Sequence, residues 1–167
     1  MSRLDSFIRR LTAQRDCLDM AAGLVEALPG PILELGLGNG RSFDHLAGLF
    51  PHRDIFVCDR QVAAHPDCRP DAHHMILGDF ATTLPGALSR IGAPAALIHC
   101  DVGSGEAEAN RRLAILLGPL LAPLAAPGAV ILADQEMRIA GWQPLALPPT
   151  VKPGRYFMWR AGGAMRA

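Results

Sequence analysis

Short apolar segments alternate with amphipathic helical segments along most of the chain, and this alternation limits the fold more than any other feature. The apolar segments are residues 32–35, 54–59, 75–77, 95–100 and 129–133. They are almost continuously apolar, which is typical of parallel strands covered on both faces. Connections between neighbouring parallel strands are right-handed, so helices fall on both sides of the sheet. We therefore expect an α/β fold with a doubly wound, mostly parallel sheet in three layers, α/β/α.

The helical segments between these strands are short, and a longer one precedes them. Apolar residues recur at helical spacing over residues 4–28, which predicts one helix or two. The turn signal at residues 29–31 ends this pattern. The other predicted helices are residues 41–50, 84–91 and 106–117. Two late strands, 142–147 and 155–160, predict a closing antiparallel hairpin. We predict an N-terminal helical cap, residues 1–28, on a single ligand-binding domain, residues 29–161, with a loose tail over 161–167.

The charge balance excludes some classes of partner. Sixteen basic and sixteen acidic side chains give a net charge of zero, whereas a general nucleic-acid binder needs a basic excess to meet phosphates. The uncharged stretch 113–133 contains Pro119, Pro123 and Pro127, which predicts a helix end and a strand rather than a membrane span. The four cysteines form no C-x-x-C pair, and the N-terminus shows no signal-peptide pattern. We expect a cytoplasmic protein with reduced thiols and no nucleic-acid or membrane partner.

A glycine-rich loop, residues 34–42, joins the first strand to the next helix. Gly36, Gly38 and Gly40 let the backbone turn tightly and approach a ligand without a Cβ in the way. The spacing G-x-G-x-G differs from the G-x-G-x-x-G of dinucleotide sites. Glu34, two residues before the first glycine, suits a ligand that carries an ammonium or sulfonium group, or a bound water network. The alternative is a tight strand-to-helix turn whose glycines serve packing alone.

Acidic residues follow three further strands, at the edge where ligands of such sheets bind. Asp59 lies 19 residues after Gly40, and an acid at this position suits a ribose diol. Asp79, in the segment 78–80, can accept from an adenine amino group while Phe80 covers the ring. Asp101 ends the fourth strand. Taken one at a time, these acids also suit a solvated strand end or a common Gly-Asp turn.

Together these motifs resemble a class I S-adenosylmethionine-dependent methyltransferase of the compact bacterial type. Residues 34–40 resemble the family's first motif, E-x-G-x-G-x-G, and Asp59 resembles its ribose-binding acid. The resemblance covers residues 28–160. It implies a Rossmann-like sheet of seven strands in the order 3-2-1-4-5-7-6, with the last strand antiparallel. It also implies an enzyme whose cofactor is S-adenosyl-L-methionine and whose product is S-adenosyl-L-homocysteine.

The resemblance assigns cofactor-binding residues along the chain. The glycine loop would hold the methionine end, and Asp59 would bind the ribose hydroxyls. Arg60 would lie beside the adenine, which Asp79 and Phe80 contact. Asp101 is in addition the candidate catalytic residue, on the acceptor side. The predicted cofactor-binding residues are Glu34, Gly36, Gly38, Asn39, Gly40, Ser42, Asp59, Arg60, Gly78, Asp79, Phe80 and Asp101.

The acceptor is predicted to be a small molecule. Residues 99–102 lack the Asn/Asp-Pro-Pro-Tyr segment used on exocyclic amines, and no Pro-Cys nucleophile follows them. Only residues 1–28, 60–74 and 141–154 are placed to cover an acceptor, and Arg10 or Gln14 could face the cofactor. This small lid suits a small acceptor, or a site that a second copy completes in a homodimer or larger homo-oligomer.

Three alternatives remain open. A divalent-metal-assisted O-methyltransferase would use Asp101 with residues 134–135, although we predict no metal ligands because a third acid is not evident. A protein that binds S-adenosylmethionine without catalysis is compatible with the absence of an evident base. A nicotinamide-dependent oxidoreductase is disfavoured by the loop spacing and by the absence of a Tyr-x-x-x-Lys pair.

Overall fold

The central sheet has seven strands and runs in the order β3-β2-β1-β4-β5-β7-β6 in a computed structural model that describes residues 2–162. The strands are β1 (Ile32–Leu35), β2 (Ile55–Asp59), β3 (Met75–Leu77), β4 (Ala95–Cys100), β5 (Ala125–Ala133), β6 (Gln143–Pro144) and β7 (Phe157–Arg160). Strands β1 to β5 pair in parallel, whereas β7 is antiparallel to both of its neighbours. The predicted strand order and the antiparallel last strand are confirmed.

In the described part of the chain, four α-helices cover the sheet. They are α1 (Arg3–Leu24), α2 (Arg41–Leu49), α3 (Phe80–Ile91) and α4 (Ala107–Leu121), with short 3₁₀ turns at Pro66–Cys68 and Ala122–Leu124. Helices α1 and α2 contribute to one buried cluster, and α3 and α4 contribute to another. The two clusters lie on opposite faces of the sheet, since Ile32 packs in the first and its neighbour Leu33 in the second.

The alternation in β1 decides where its one charged residue lies. Leu33 and Leu35 pack toward α3 and α4, so Glu34 shares the α1 and α2 face with Ile32. β1 lies between β2 and β4. From β1 the chain runs through β2 to β3 at one edge of the sheet, and from β4 it continues toward the other edge. Ligands of doubly wound sheets bind at such a switch point, outside the carboxyl ends of the strands. The fold therefore places the glycine loop at the edge where a ligand site is expected.

Several helices have bounds that differ from the predicted ones. Residues 3–24 form one continuous helix, with a capping box between Ser2 and Asp5. Helix α3 begins four residues earlier than predicted, because the Asp79 side chain accepts the Ala81 N–H and caps it. Helix α4 continues through Pro119 to Leu121. Pro119 has no N–H to donate, so the Ile115 carbonyl has no partner within the helix. Ile115 is exposed, and water can donate to this carbonyl.

The strands near the C-terminus differ from their predicted extents as well. β5 begins four residues before the predicted start, and β6 covers only residues 143–144 of the predicted strand 142–147, although the Leu145 N–H still donates to the Met158 carbonyl of β7. The predicted loose tail lies outside the described residues from 163 onward. No helix within residues 2–162 combines the length and apolarity that a membrane crossing needs.

Candidate functional site

The three glycines of the loop have positive φ angles but serve different purposes. Gly36 has φ +89°, and a Cβ there would lie 2.8 Å from the Asp101 carbonyl oxygen. Gly40 has φ +85°, and a Cβ there would overlap the carbonyl oxygen of Cys68. Gly38 has φ +52°, and a Cβ there would meet no heavy atom within 4 Å among the described residues. Only at Gly38 does the missing side chain leave open space, as a ligand contact requires.

Asp59, the last residue of β2, accepts hydrogen bonds from the backbone of the glycine-rich loop. Its Oδ2 accepts the backbone N–H of Leu37 at 2.8 Å and of Gly38 at 3.3 Å. Its Oδ1 accepts the N–H of Gln61 at 3.2 Å. A carboxylate offers about four lone-pair sites, so these three bonds leave capacity for a hydroxyl. Asp59 therefore links the loop to β2 and can still accept from a ligand.

A cavity of about 290 Å³, which we call the loop cavity, opens beside this loop. It brings together residues from four separate strand ends and the helices that follow them. Seven of the predicted cofactor-binding residues line it: Gly36, Gly38, Asp59, Arg60, Asp79, Phe80 and Asp101. Val102, Leu113 and Leu116 line it as well and were not predicted. Leu113 and Leu116 belong to α4, where the sequence shows only apolar helix positions with no ligand motif.

Asp79 and Phe80 enter the cavity from the first turn of α3. Asp79 Oδ1 accepts the Ala81 N–H at 3.0 Å, so part of this carboxylate serves the helix cap. Gly78 has φ +144°, and a Cβ there would lie 2.7 Å from the Thr83 methyl group. Gly78 is thus required by the turn, whereas Asp79 and Phe80 line the loop cavity.

Glu34 lies beneath the loop rather than in the loop cavity. Its side chain is fully buried, and its Oε1 accepts the Ser42 hydroxyl at 2.5 Å. His99 Nδ1 lies 3.2 Å from the same oxygen. Glu34 Oε2 is buried without a hydrogen-bond partner among the described residues. A buried carboxylate oxygen without a partner is costly unless a donor reaches it.

His99 links Glu34 to the C-terminal part of the chain. Its Nε2 lies 2.6 Å from the Tyr156 hydroxyl and 3.3 Å from Gln14 Nε2. His99 has three polar neighbours, because β4 carries it between β1, α1 and Tyr156. Burial raises the pKa of Tyr156 well above its usual value, so its hydroxyl stays protonated.

Asp101 lies directly after β4 and is held from α1. Its Oδ1 accepts from Arg10 at 3.1 Å, and its Oδ2 accepts from Gln14 Nε2 at 2.6 Å. Arg10 and Gln14 thus reach the acid at the cavity wall through contacts 91 and 87 residues apart in sequence. The N-terminal helix is therefore part of the site.

Asn39 has a different role, because its Oδ1 accepts the Arg41 N–H at 3.3 Å in the turn before α2.

Asp134, which follows β5, is bound to its own neighbours. Its Oδ2 accepts the Gly103 N–H and the Gln135 side-chain amide, both at 3.0 Å. Its Oδ1 is buried without a partner among the described residues. Within residues 2–162, no group of three or more His, Cys, Asp or Glu side chains has the arrangement of a metal site. Protein donors thus bind both oxygens of Asp101 but only Oδ2 of Asp134.

We predict that Asp134→Asn stabilises the fold more at neutral than at acidic pH. Burial raises the pKa of Asp134 above its usual value. An acid with a raised folded-state pKa binds more protons when folded, so stability is lost as pH rises from about 4 through the folded-state pKa. Asparagine keeps an acceptor for Gly103 and does not ionise. Thermal unfolding of both chains at about pH 4 and pH 7.5 should show a Tm difference that grows with pH.

The exposed Glu26→Gln is the control for this series, and the Tm difference of Asp134→Asn should grow more with pH than that of Glu26→Gln. A Tm difference for Asp134→Asn that is constant or shrinks as pH rises would contradict the assignment of a costly buried charge.

Comparison with known proteins places the chain in a family. A family model described as S-adenosyl-L-methionine methyltransferase matches residues 1–161. The crystal structure of an S-adenosyl-L-methionine methyl transferase from Silicibacter pomeroyi is 44% identical, with a TM-score of 0.92 over 97% of this chain and 99% of that one. No curated protein gave a significant match.

More distant structures share the fold at low identity. The sugar N-methyltransferase KedS8 from Streptoalloteichus is 16% identical, with a TM-score of 0.57 over 96% of this chain and 93% of that one. A 16S rRNA (adenine(1408)-N(1))-methyltransferase from Catenulisporales acidiphilia, crystallised with S-adenosylmethionine, is 13% identical, with a TM-score of 0.51 over 90% and 93%. The family match over residues 1–161 and the 44% identical structure show that the chain belongs to the S-adenosyl-L-methionine methyltransferase family.

Proposed function

We propose that this methyltransferase acts on a small-molecule acceptor and holds S-adenosyl-L-methionine in the loop cavity. The observation that carries the proposal is the convergence of Gly38, Asp59, Phe80 and Asp101 on one cavity at the switch point of the sheet. The residue assignments within that cavity follow from the chemistry of the groups that line it.

The lining fits a ligand with cationic and hydroxyl groups. Three carboxylates, Asp59, Asp79 and Asp101, face the cavity, against one cationic lining residue, Arg60. Asp59 is placed to accept from ribose hydroxyls, and Phe80 offers a ring face to the adenine. At Gly38 the open space lets the ligand approach the backbone. Glu34, one layer deeper, offers a buried carboxyl oxygen that has no hydrogen-bond partner among the described residues.

The residues of the chain serve mainly to position the reactants. When bound, S-adenosyl-L-methionine supplies a methyl group on a sulfonium: an acceptor lone pair bonds to the methyl carbon, and the carbon–sulfur bonding pair stays on sulfur. Holding two reactants in line supplies a large part of the rate enhancement. Arg10 and Gln14 fix Asp101 at the cavity wall. We assign Asp101 to the acceptor side, where its carboxylate can accept a proton that the acceptor releases.

A small acceptor is supported by the covering elements. Helix α1 reaches the cavity wall with two side chains, and the 60–74 loop packs against Gly40. The net charge of zero does not suit a polynucleotide substrate. All four cysteines are free thiols, and we assign the protein to the cytoplasm on that basis. A homodimer or larger homo-oligomer stays a prediction.

The experiment that tests this function uses S-adenosyl-L-methionine with a labelled methyl group. The chain is incubated with the labelled donor and a cell extract, which is then separated into low-mass, RNA and protein fractions. We expect label in the low-mass fraction and none with heat-inactivated chain. Label in RNA or protein would overturn the small-molecule acceptor. A chain that binds S-adenosyl-L-homocysteine but labels no fraction would support the alternative of binding without catalysis.

A further inference from the structure

A second cavity, which we call the helix cavity, lies between α1 and α2 and has a volume of about 330 Å³. Ile8, Leu11 and Leu18 line it from α1 with aliphatic side chains. Arg41 and Ser42, in the first turn of α2, line the opposite side. The site has the apolar lining with a few polar groups that is common in small-molecule sites. None of the residues discussed for the cofactor explains this apolar lining.

The charged groups around the helix cavity favour an anion. Arg15 and Arg41 line it, and no carboxylate does among the described residues. Arg15 is paired with Asp16 at 2.7 Å, and His45 is paired with Asp19 at 2.8 Å. The Arg41 guanidinium has no hydrogen bond or ion pair within residues 2–162.

Arg41 also begins α2, and the positive end of that helix dipole lies on the same side of the cavity. The positive end of α2 and the unpaired Arg41 guanidinium therefore both attract an anion.

Two polar side chains that line the helix cavity donate hydrogen bonds to Asp101 and Glu34. Gln14 lines the helix cavity, and its amide donates to Asp101, which lines the loop cavity. Ser42 lines the helix cavity as well and donates to Glu34 beneath the glycine loop. A ligand between α1 and α2 therefore lies against the same Gln14 that holds Asp101.

We propose that the helix cavity binds the methyl acceptor and that the acceptor is a small organic anion with an apolar body. The proposal rests on the proposed function, because it needs the methyl donor in the neighbouring loop cavity. The apolar body would lie on Leu11 and Leu18, and the anionic group would face Arg41. The nucleophile would point past Gln14 toward Asp101.

The test uses three probes with one skeleton and different charges: 1-naphthoate, 1-naphthalenemethanol and 1-naphthalenemethylamine. Isothermal titration into the chain should show naphthoate binding about fivefold more tightly than the alcohol, as an exposed charge pair allows. Arg41→Gln should remove about that factor for naphthoate and leave the alcohol unchanged. The matched control is Arg155→Gln, an exposed arginine outside the helix cavity, which should change neither affinity.

A charge-reversal variant checks the location. Ile8 is half exposed at the cavity, so Ile8→Glu should fold, weaken naphthoate binding and strengthen binding of the amine. Naphthoate should also bind when S-adenosyl-L-homocysteine saturates the chain. Equal affinity for the three probes, no effect of Arg41→Gln, or displacement by S-adenosyl-L-homocysteine would overturn the proposal. Failure of S-adenosyl-L-homocysteine itself to bind would instead overturn the proposed function.

Discussion

Gly38→Leu is expected to lower the affinity for S-adenosyl-L-homocysteine at least about 100-fold while the chain stays folded, because a blocked site forfeits most contacts of the ligand. Gly38 lines the loop cavity, and within residues 2–162 the Cβ of a substituted residue would meet no heavy atom closer than 4 Å. A leucine side chain would therefore enter the ligand space rather than the core. Isothermal titration gives the affinity, and urea denaturation gives the free energy of unfolding.

The positive φ of Gly38 makes a matched control necessary. A leucine at φ +52° costs about 1–2 kcal/mol of backbone strain. Gly92, at the far end of α3, has φ +83° and also has no neighbour within 4 Å. We expect Gly92→Leu to lose a comparable free energy of unfolding and to keep its affinity for the ligand. If Gly38→Leu and the parent chain bound S-adenosyl-L-homocysteine with equal affinity, the loop cavity would not be the site of this ligand.

Gly40→Ala is expected to destabilise the fold by about 3 kcal/mol or more, since strain and overlap add. The residue has φ +85°, and its Cβ would overlap the carbonyl oxygen of Cys68 and lie 2.8 Å from the Cys68 Cβ. The backbone of the 60–74 loop would have to move. Urea denaturation measures the loss.

Gly38→Ala is the comparison, because the two glycines are two residues apart and differ mainly in their surroundings. We expect it to cost about 1 kcal/mol, the strain of positive φ alone. If Gly40→Ala lost no more than Gly38→Ala, the 60–74 loop would not pack on the glycine loop as described. The two variants thus separate a structural glycine from a ligand-facing one.

Local patterns account for the parts of the fold that could be predicted. The strands at 32–35, 75–77 and 95–100 were predicted with their observed bounds, because each is a short apolar run between polar or turn residues. The start of α3 was missed because Asp79 serves two purposes. The Gly-Asp-Phe segment suggests a ligand contact, and the same carboxylate also caps the helix.

The cavity residues that could be predicted are those with a backbone signature. Glycines after a strand and an acid at a strand end mark Gly38 and Asp59 in the sequence, since a tight turn needs particular residue types. The fold brings together the others across long sequence separations. Tyr156 meets His99 across 57 residues, and Gln14 meets Asp101 across 87. No local pattern indicates such a pairing, and apolar α4 residues at a cavity wall look like any core position.

Glu34 shows the limit of motif reasoning most clearly. The motif predicts an acid near the cofactor, but the structure buries it on the α1 and α2 face, bound to Ser42 and beside His99. Strand alternation places Glu34 on one face of the sheet, but its burial can be predicted only when the helices that cover each face are known. Its Oε2 has no hydrogen-bond partner among the described residues.

A crystal structure of the chain with S-adenosyl-L-homocysteine would show directly whether the loop cavity is the cofactor site. We expect the product in the loop cavity, with its ribose hydroxyls within hydrogen-bond distance of Asp59, its adenine against Phe80 and its amino-acid end along Gly38. A product bound between α1 and α2, or one that leaves Asp59 without a ligand contact, would contradict it.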